Sequence, residues 1–321
     1  MVEYVSIIST HQARIRCLLS SLLSTDQSFK IERFQNGAIL QIEINTNTIS
    51  ANLVYSGELD ENKPEKRYYV KNEDNNQYSN FTPIKLPDIK VKNDNLFPVV
   101  NDNNYIFYLI RHGQGDHNIM DKTQKLIQRK KDTNLTKIGI QQAEKTGEFL
   151  KTNLDISNKK NLFLFASDLQ RTRQTLINAL KVAGINKGDI NILPCSHELV
   201  YNKNGRCDGS KTQMVIAYEN TSNTFPSNCN NSEACIENDD GFNINWNLYN
   251  SFYDGSRINS GKNRSRCRNT NMINEAIKFI KQKSSDAIGG RKKIKRTKRK
   301  KTKRKRQKNK KTRKYRKSKN K

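Results

Sequence analysis

No apolar run in the 321-residue chain approaches the length needed to cross a bilayer. Met1 is not followed by a basic segment and a long apolar one, so a secretory leader is not expected either. The six cysteines, Cys17, Cys195, Cys207, Cys229, Cys235 and Cys267, form no CxxC pair and no His/Cys cluster with zinc spacing. That argues against a metal site, and no cofactor is expected. The expectation is an intracellular protein, cytoplasmic or nuclear, with reduced thiols. Histidine is scarce, and none of the four histidines follows His197. Acidic residues are missing from Arg291 to Lys321, a stretch that holds 22 of the 59 Lys and Arg. Aromatic residues are missing there too, apart from Tyr315.

These absences divide the chain. Residues 1–290 carry 37 basic and 31 acidic residues, so most of the net charge of +28 belongs to the tail. A like-charge run with almost no apolar residues cannot bury a core, and residues 284–321 are expected to be disordered. Residues 291–321 would attract phosphate backbones non-specifically or serve as a nuclear address. Without aromatics to stack on bases, base-specific recognition is not expected.

The rest of the chain carries short apolar strands and amphipathic helices. "VEYVSIIS" reads as a strand, and "QARIRCLLSSLL" as a helix whose Ile15, Leu18, Leu19 and Leu22 form one apolar stripe. "FKIERFQNGAILQIEI" and "TISANLVYSGEL" read as two further strands. Residues 61–104 are polar and proline-bearing, a connector with one short strand at "KRYYV". From Tyr105 strands and helices alternate: "YIFYLI", a helix opened by Thr136, "NLFLFAS", a helix ended by Gly184, then "INILPC". That rhythm predicts an α/β fold with a mostly parallel sheet. Residues 219–268 turn rich in Asn and Ser around an island, "FNINWNLYNSFY", and read as a lid-like insertion. A last helix, "TNMINEAIKFIKQK", closes the expected globular part at residue 283.

The chemistry concentrates where strands end. "YLIRHGQGDHN" places Arg111, His112 and Gly113 at the end of a buried strand, where open α/β sheets form their ligand crevice. An imidazole there can be a nucleophile, an adjacent guanidinium can hold phosphoryl oxygens, and glycine lets the backbone approach a ligand. "FASDLQRTRQTL" puts Arg171 in the first turn of a helix, where backbone amides also favour an anion. "SHELV" offers Glu198 as an acid/base after the third strand.

Together these segments resemble the histidine phosphatase superfamily, branch 1, the phosphoglycerate-mutase-like proteins. "RHGQGDHN" matches its R-H-G motif with Asn118 six residues after the histidine. "LTKIGIQQA" and "ASDLQRTRQT" are similar to its next two segments, so the resemblance covers residues 105–210 in the family's order. It implies a three-layer α/β/α fold and a metal-independent phosphohydrolase that works through a phosphohistidine on His112. Arg111 and Arg171 would bind the phosphoryl group, Asn118 would be a further phosphate contact, and Glu198 would be the general acid/base. His117 is expected at the pocket edge or in a structural role, and His197 has no counterpart in the family.

The family also needs a second histidine late in the chain, after another parallel strand, and here none follows His197. "VSIISTHQARIRCLL" looks like that missing segment, with His11 as the histidine and Gln12 where the family has glycine, contacting phosphate through its backbone. "FQNGAILQIEI" resembles the family's closing strand. The expectation is therefore a circularly permuted domain. Residues 1–60 supply its usual end, 61–104 connect, 105–283 supply the rest, and 284–321 are the tail. The expected substrate is a phosphorylated small molecule or a phosphoprotein. The alternatives are a phosphomutase, or an inactive phosphatase-fold binding protein tethered to nucleic acid by its tail.

Overall fold

The computed structural model describes residues 2–22, 29–31, 34–57, 70–72, 91–92, 97, 103–119, 132–198, 236–253 and 272–285. The chain divides into two units, Met1–Ala276 and Ile277–Lys321. The first unit holds all the strands described below. Of the second, the described part is the end of a helix over 272–285. The connector, most of the 219–268 segment and the basic tail lie largely or wholly outside the described residues.

In chain order the elements are β1 (Glu3–Thr10), α1 (Gln12–Leu22), β2 (Phe29–Ile31), β3 (Ile39–Ile44), β4 (Thr48–Tyr55), β5 (Val70–Asn72), β6 (Val91–Lys92) and β7 (Asn104–Arg111). Then follow α2 (Asp116–Ile119), α3 (Lys137–Thr152), a 3-10 turn (Ile156–Asn158), β8 (Leu162–Ala166), α4 (Gln170–Val182) and β9 (Gly188–Ile192). β10 (Ile236–Asp239), β11 (Phe242–Asn245) and α5 (Asn247–Tyr253) complete the first unit.

Among the described residues, nine strands form one sheet in the order β10-β11-β9-β8-β1-β7-β3-β4-β6. The five strands from β11 to β7 run parallel. β3, β4 and β6 then add antiparallel pairings on one side, and β10 adds one on the other. The fold is α/β as expected, but the sheet is mixed rather than mostly parallel. The expected strand over 29–44 is also broken, because Gly37 turns the chain at φ +77 before β3 begins. β3 and β4 can then form a hairpin.

β1 is buried from Val5 to Thr10 and β7 from Tyr105 to Arg111, so neither strand has a solvent face. A parallel strand buried along its whole length needs cover on both sides of the sheet, which makes the arrangement three-layered. Ile7, Ile8, Phe107, Leu109 and Ile110 are fully excluded from water. Each contributes roughly 1.5–3 kcal/mol by leaving it. α3 starts where Thr136 accepts the Gly139 N–H at 3.0 Å, a side-chain cap on a free first-turn donor. The expected stop of α4 at Gly184 is present, with φ +86.

The island at 242–253 is not a lid. Phe242 and Ile244 point inward and Asn243 outward in β11, which pairs in parallel with β9 and extends the sheet. Of the short strand expected at 66–70 only Val70 lies within the described residues; it opens β5, which pairs with β2 in a separate two-stranded sheet. Both described cysteines, Cys17 and Cys195, are disulfide-bonded, which overturns the expectation of reduced thiols for these two. No described helix is long and apolar enough to cross a membrane.

Candidate active site

The register of the sheet creates the site. β1 and β7 run in parallel with Thr10 opposite Arg111. His11 and His112 are therefore the next residues on two neighbouring strands, and His112 N–H donates to Thr10 O at 3.0 Å. On the other side of β1, Ser9 lies opposite Ala166, and Ser167 N–H donates to Ser9 O at 3.0 Å. Ala166 in turn faces Ile192 of β9, whose continuation returns through Ser196 to Glu198. The Thr10 hydroxyl holds that return by donating to Ser196 O at 2.9 Å, and Arg14 Nε donates to His197 O at 3.3 Å. Four parallel strands thus end at one edge, where an open α/β sheet binds its ligand.

His112 is 2% exposed and fixed on both ring nitrogens. Its Nδ1 lies 2.7 Å from Gly113 O, and a carbonyl only accepts, so Nδ1 carries the hydrogen. Nε2 is left with its lone pair, and Arg171 Nε donates to it at 3.3 Å. The peptide around His112 is held as well. Asn36 Nδ2 donates to His112 O at 2.7 Å, and Gly113 N–H donates to Thr175 Oγ1 at 2.9 Å. A Cβ at Gly113 would stand 2.3 Å from Gly139 O, so only glycine lets this loop lie against the start of α3.

The His11 ring stands edge-on to His112, with ring centres 5.1 Å apart, and is fully buried. Its Nδ1 is 3.0 Å from Glu198 Oε2 and 3.4 Å from Arg171 Nη2, and its Nε2 is 3.0 Å from Ser167 Oγ. Burial holds the His11 pKa below the ordinary histidine value; Glu198 pulls it up, and Arg171 adds to the lowering. Arg171 Nη2 also reaches Glu198 Oε2 at 3.4 Å. The side chains of His11 and Arg171 have no exposure, whereas that of Glu198 is 23% exposed, so Glu198 is the member of the group that meets solvent.

His11, His112, Arg171 and Glu198 therefore come together as expected. The other named candidates make different contacts. Arg111 donates from Nη1 to Phe34 O, Asn118 Oδ1 accepts the Gly115 N–H at 2.9 Å, and Gln12 is the first residue of α1. The side chain of His117 lies outside the described residues. His197, left without a role by the sequence, forms an ion pair from Nδ1 to the buried Asp168. Ser167 and Asp168 were not singled out. Their signal was a serine and an aspartate at the end of a strand that faces the crevice.

His11, His112 and Glu198 bring ligand atoms within 4.8 Å of one another. The Arg171 guanidinium also contacts all three residues, placing a fixed positive charge where a cation would sit. The charge and donors of the site suit a small anion with several oxygens.

Residues 107–223 match the model of the histidine phosphatase superfamily (branch 1). The matched stretch contains β7, α3, β8, α4 and β9, and with them His112, Arg171 and Glu198. Residues 1–106, including His11, lie outside the match. One curated relative, "Broad-specificity phosphatase YOR283W" of Saccharomyces cerevisiae, is 39% identical over 82 residues, or 25% of this chain. The chain spans about a third of that relative's length, 32%. No solved structure matches the chain.

Proposed function

We propose that the protein is a phosphomonoesterase that transfers the phosphoryl group of its substrate to His112 Nε2 and then to water. The observation that carries this reading is the state of His112. Its Nδ1–H is tied to Gly113 O, and its Nε2 lone pair accepts from Arg171 Nε, with His11 and Glu198 beside it. In the first step a bond forms between Nε2 and phosphorus while the ester P–O bond breaks. The leaving oxygen takes a proton from Glu198, the solvent-reaching member of the group. In the second step water attacks the phosphohistidine and gives a proton to Glu198. The N–P bond breaks and inorganic phosphate leaves.

Arg171 supplies fixed charge to the transferring phosphoryl, and Arg111, next to His112, is assigned the same duty. Backbone N–H groups at the start of α1, where Gln12 sits, have no intrahelical carbonyl to meet and suit an anion. Charge neutralisation and positioning then come from the protein itself, and turnover is expected to survive chelators. The relative's name, a broad-specificity phosphatase, supports a phosphorylated small molecule or phosphoprotein as substrate.

The reading includes circular permutation. β1, from the N-terminus, occupies the middle of the parallel sheet between β7 and β8, and it delivers His11 to the side chains of His112, Arg171 and Glu198, all from residues after 106. Hydrolysis of p-nitrophenyl phosphate by the full chain tests both parts. His112→Ala is expected to abolish turnover, and His11→Ala to lower kcat by at least about 100-fold. If neither substitution lowers turnover, or if the wild type has none, the enzyme reading is wrong and the inactive binding protein is the better account.

A further inference from the structure

Behind His11 runs a line of buried polar groups that the proposed chemistry does not use. His11 Nε2 meets Ser167 Oγ at 3.0 Å, Ser167 Oγ donates to Asp168 Oδ1 at 2.9 Å, and the same Asp168 oxygen is paired with His197 Nδ1. Ser167 and Asp168 are 0% and 2% exposed and His197 is 7% exposed, so the line is closed to water. Its far end is packed: the His197 ring stands edge-on to Tyr249 at 5.4 Å, and Tyr249 stands edge-on to Trp246 at 5.6 Å. Tyr249 and Trp246 belong to the segment that joins the sheet edge through β11.

Counting hydrogens along this line fixes the state of His11. A serine hydroxyl has one hydrogen, and the carboxylate of Asp168 can only accept it. Ser167 Oγ therefore offers His11 a lone pair, and His11 Nε2 must bring the hydrogen. The opposite side of the ring agrees. Arg171 Nη2, 3.4 Å from His11 Nδ1, can only donate, and a lone pair on Nδ1 suits it. Glu198 Oε2 lies 3.0 Å from that same lone pair, and two acceptors do not pair at that distance. The hydrogen between them belongs to Glu198.

We propose that Ser167, Asp168 and His197 are positioning residues that hold His11 as the neutral Nε2–H tautomer, and that His11 in turn keeps Glu198 protonated as the general acid. The proposal rests on the phosphatase reading for its purpose, but not for its geometry. The charged groups around the line are consistent with it. His11 faces Glu198, Arg171, His112 and Asp168, and Asp168 faces His197 and senses Asp132. Burial, the largest influence on His11, favours its neutral form. Burial alone would raise the Asp168 pKa, but His197 and the Ser167 hydroxyl outweigh it and keep the carboxyl below its ordinary value. The acceptor that Ser167 donates to is thus an ionised one.

Two-bond proton–nitrogen NMR of the full chain labelled with 15N-histidine reads the tautomers directly at pH 7, without substrate. His11 is expected as Nε2–H. Ser167→Ala, which removes the acceptor, is expected to convert a large part of it to Nδ1–H, while Ser167→Thr, which keeps the hydroxyl, retains the wild-type form. With Nδ1–H now donating to Glu198, the ionised carboxylate is favoured. The alkaline limb of kcat in Ser167→Ala should then move to lower pH by about one unit, a change that mere loosening of the fold would not produce. His197→Gln, which removes the ring nitrogen that contacts Asp168, should move His11 the same way by a smaller amount. A wild-type His11 found as Nδ1–H or as imidazolium overturns the proposal, as does a Ser167→Ala tautomer identical to the wild type. The wild-type spectrum needs no variant to fold and no turnover. An inactive protein with Nε2–H at His11 would sink the phosphatase reading and leave this one standing.

Discussion

Asp132 shows what one half-buried carboxyl does to this molecule. Its two oxygens accept the Gln170 N–H at 2.8 and 3.0 Å, capping the first turn of α4, which carries Arg171. Burial raises its pKa to about 6, although that hydrogen bond and the neighbouring Arg171 and Arg173 pull it down. In the unfolded chain the group titrates near 4, so the folded state binds its proton more tightly. That stability is fully present below about pH 4 and is lost as pH rises through about 6. The loss is on the order of 2–3 kcal/mol. Urea unfolding of the wild type between pH 4 and 8 should show this fall, and Asp132→Asn should flatten it. At the same scale, the sequence made His11, His112, Arg171 and Glu198 legible because each sits in a short motif with an evident chemical purpose. Ser167, Asp168 and His197 were opaque because their meaning is in their pairing. His197 and Asp168 are far apart in the chain, and only the common edge of β8 and β9 brings them together.

Between elements, α3 and α4 approach closely at Gly147. A Cβ on Gly147 would lie 2.3 Å from Ala179 O and 2.8 Å from Val182 Cβ, so the two helices meet where one has no side chain. Alanine is the better helix former by about 1 kcal/mol, yet here it must push α4, which carries Arg171, away from α3. Gly147→Ala is expected to destabilise the protein by roughly 2–3 kcal/mol, read as a lower urea midpoint with an unchanged m-value. A stabilised variant would show that the helices part at no cost. The helices themselves were legible because apolar periodicity, the Thr136 cap and Gly184 all agree. The 236–253 segment was misread on composition. Its Asn content marked it as a loop, but Phe242 and Ile244 alternate with Asn243 and Asn245, the two-residue period of a half-buried strand.

For the whole molecule the decisive fact is the position of β1. It is paired along its full length with β7 and over Val5–Ser9 with β8, so the first strand of the chain is an interior strand of the sheet. Those pairings, and not the covalent connection through residues 58–102, are expected to hold it. A protease site introduced between residues 73 and 90 and cut after folding should leave two fragments that co-migrate and keep their turnover. Fragments that separate on cutting would refute the permuted-domain reading. The meeting of His11 with His112 was legible from motif order, whereas the mixed character of the sheet was not, because antiparallel pairing of β3 with β7 is a tertiary choice. The central claim is a covalent phosphoryl group on His112. Rapid quenching of the full chain with a 32P-labelled aryl phosphate, followed by peptide mapping, tests it most directly. The account predicts an acid-labile, base-stable label on the peptide containing His112, absent in His112→Ala. Turnover with no such label, or a label on another residue, would contradict it.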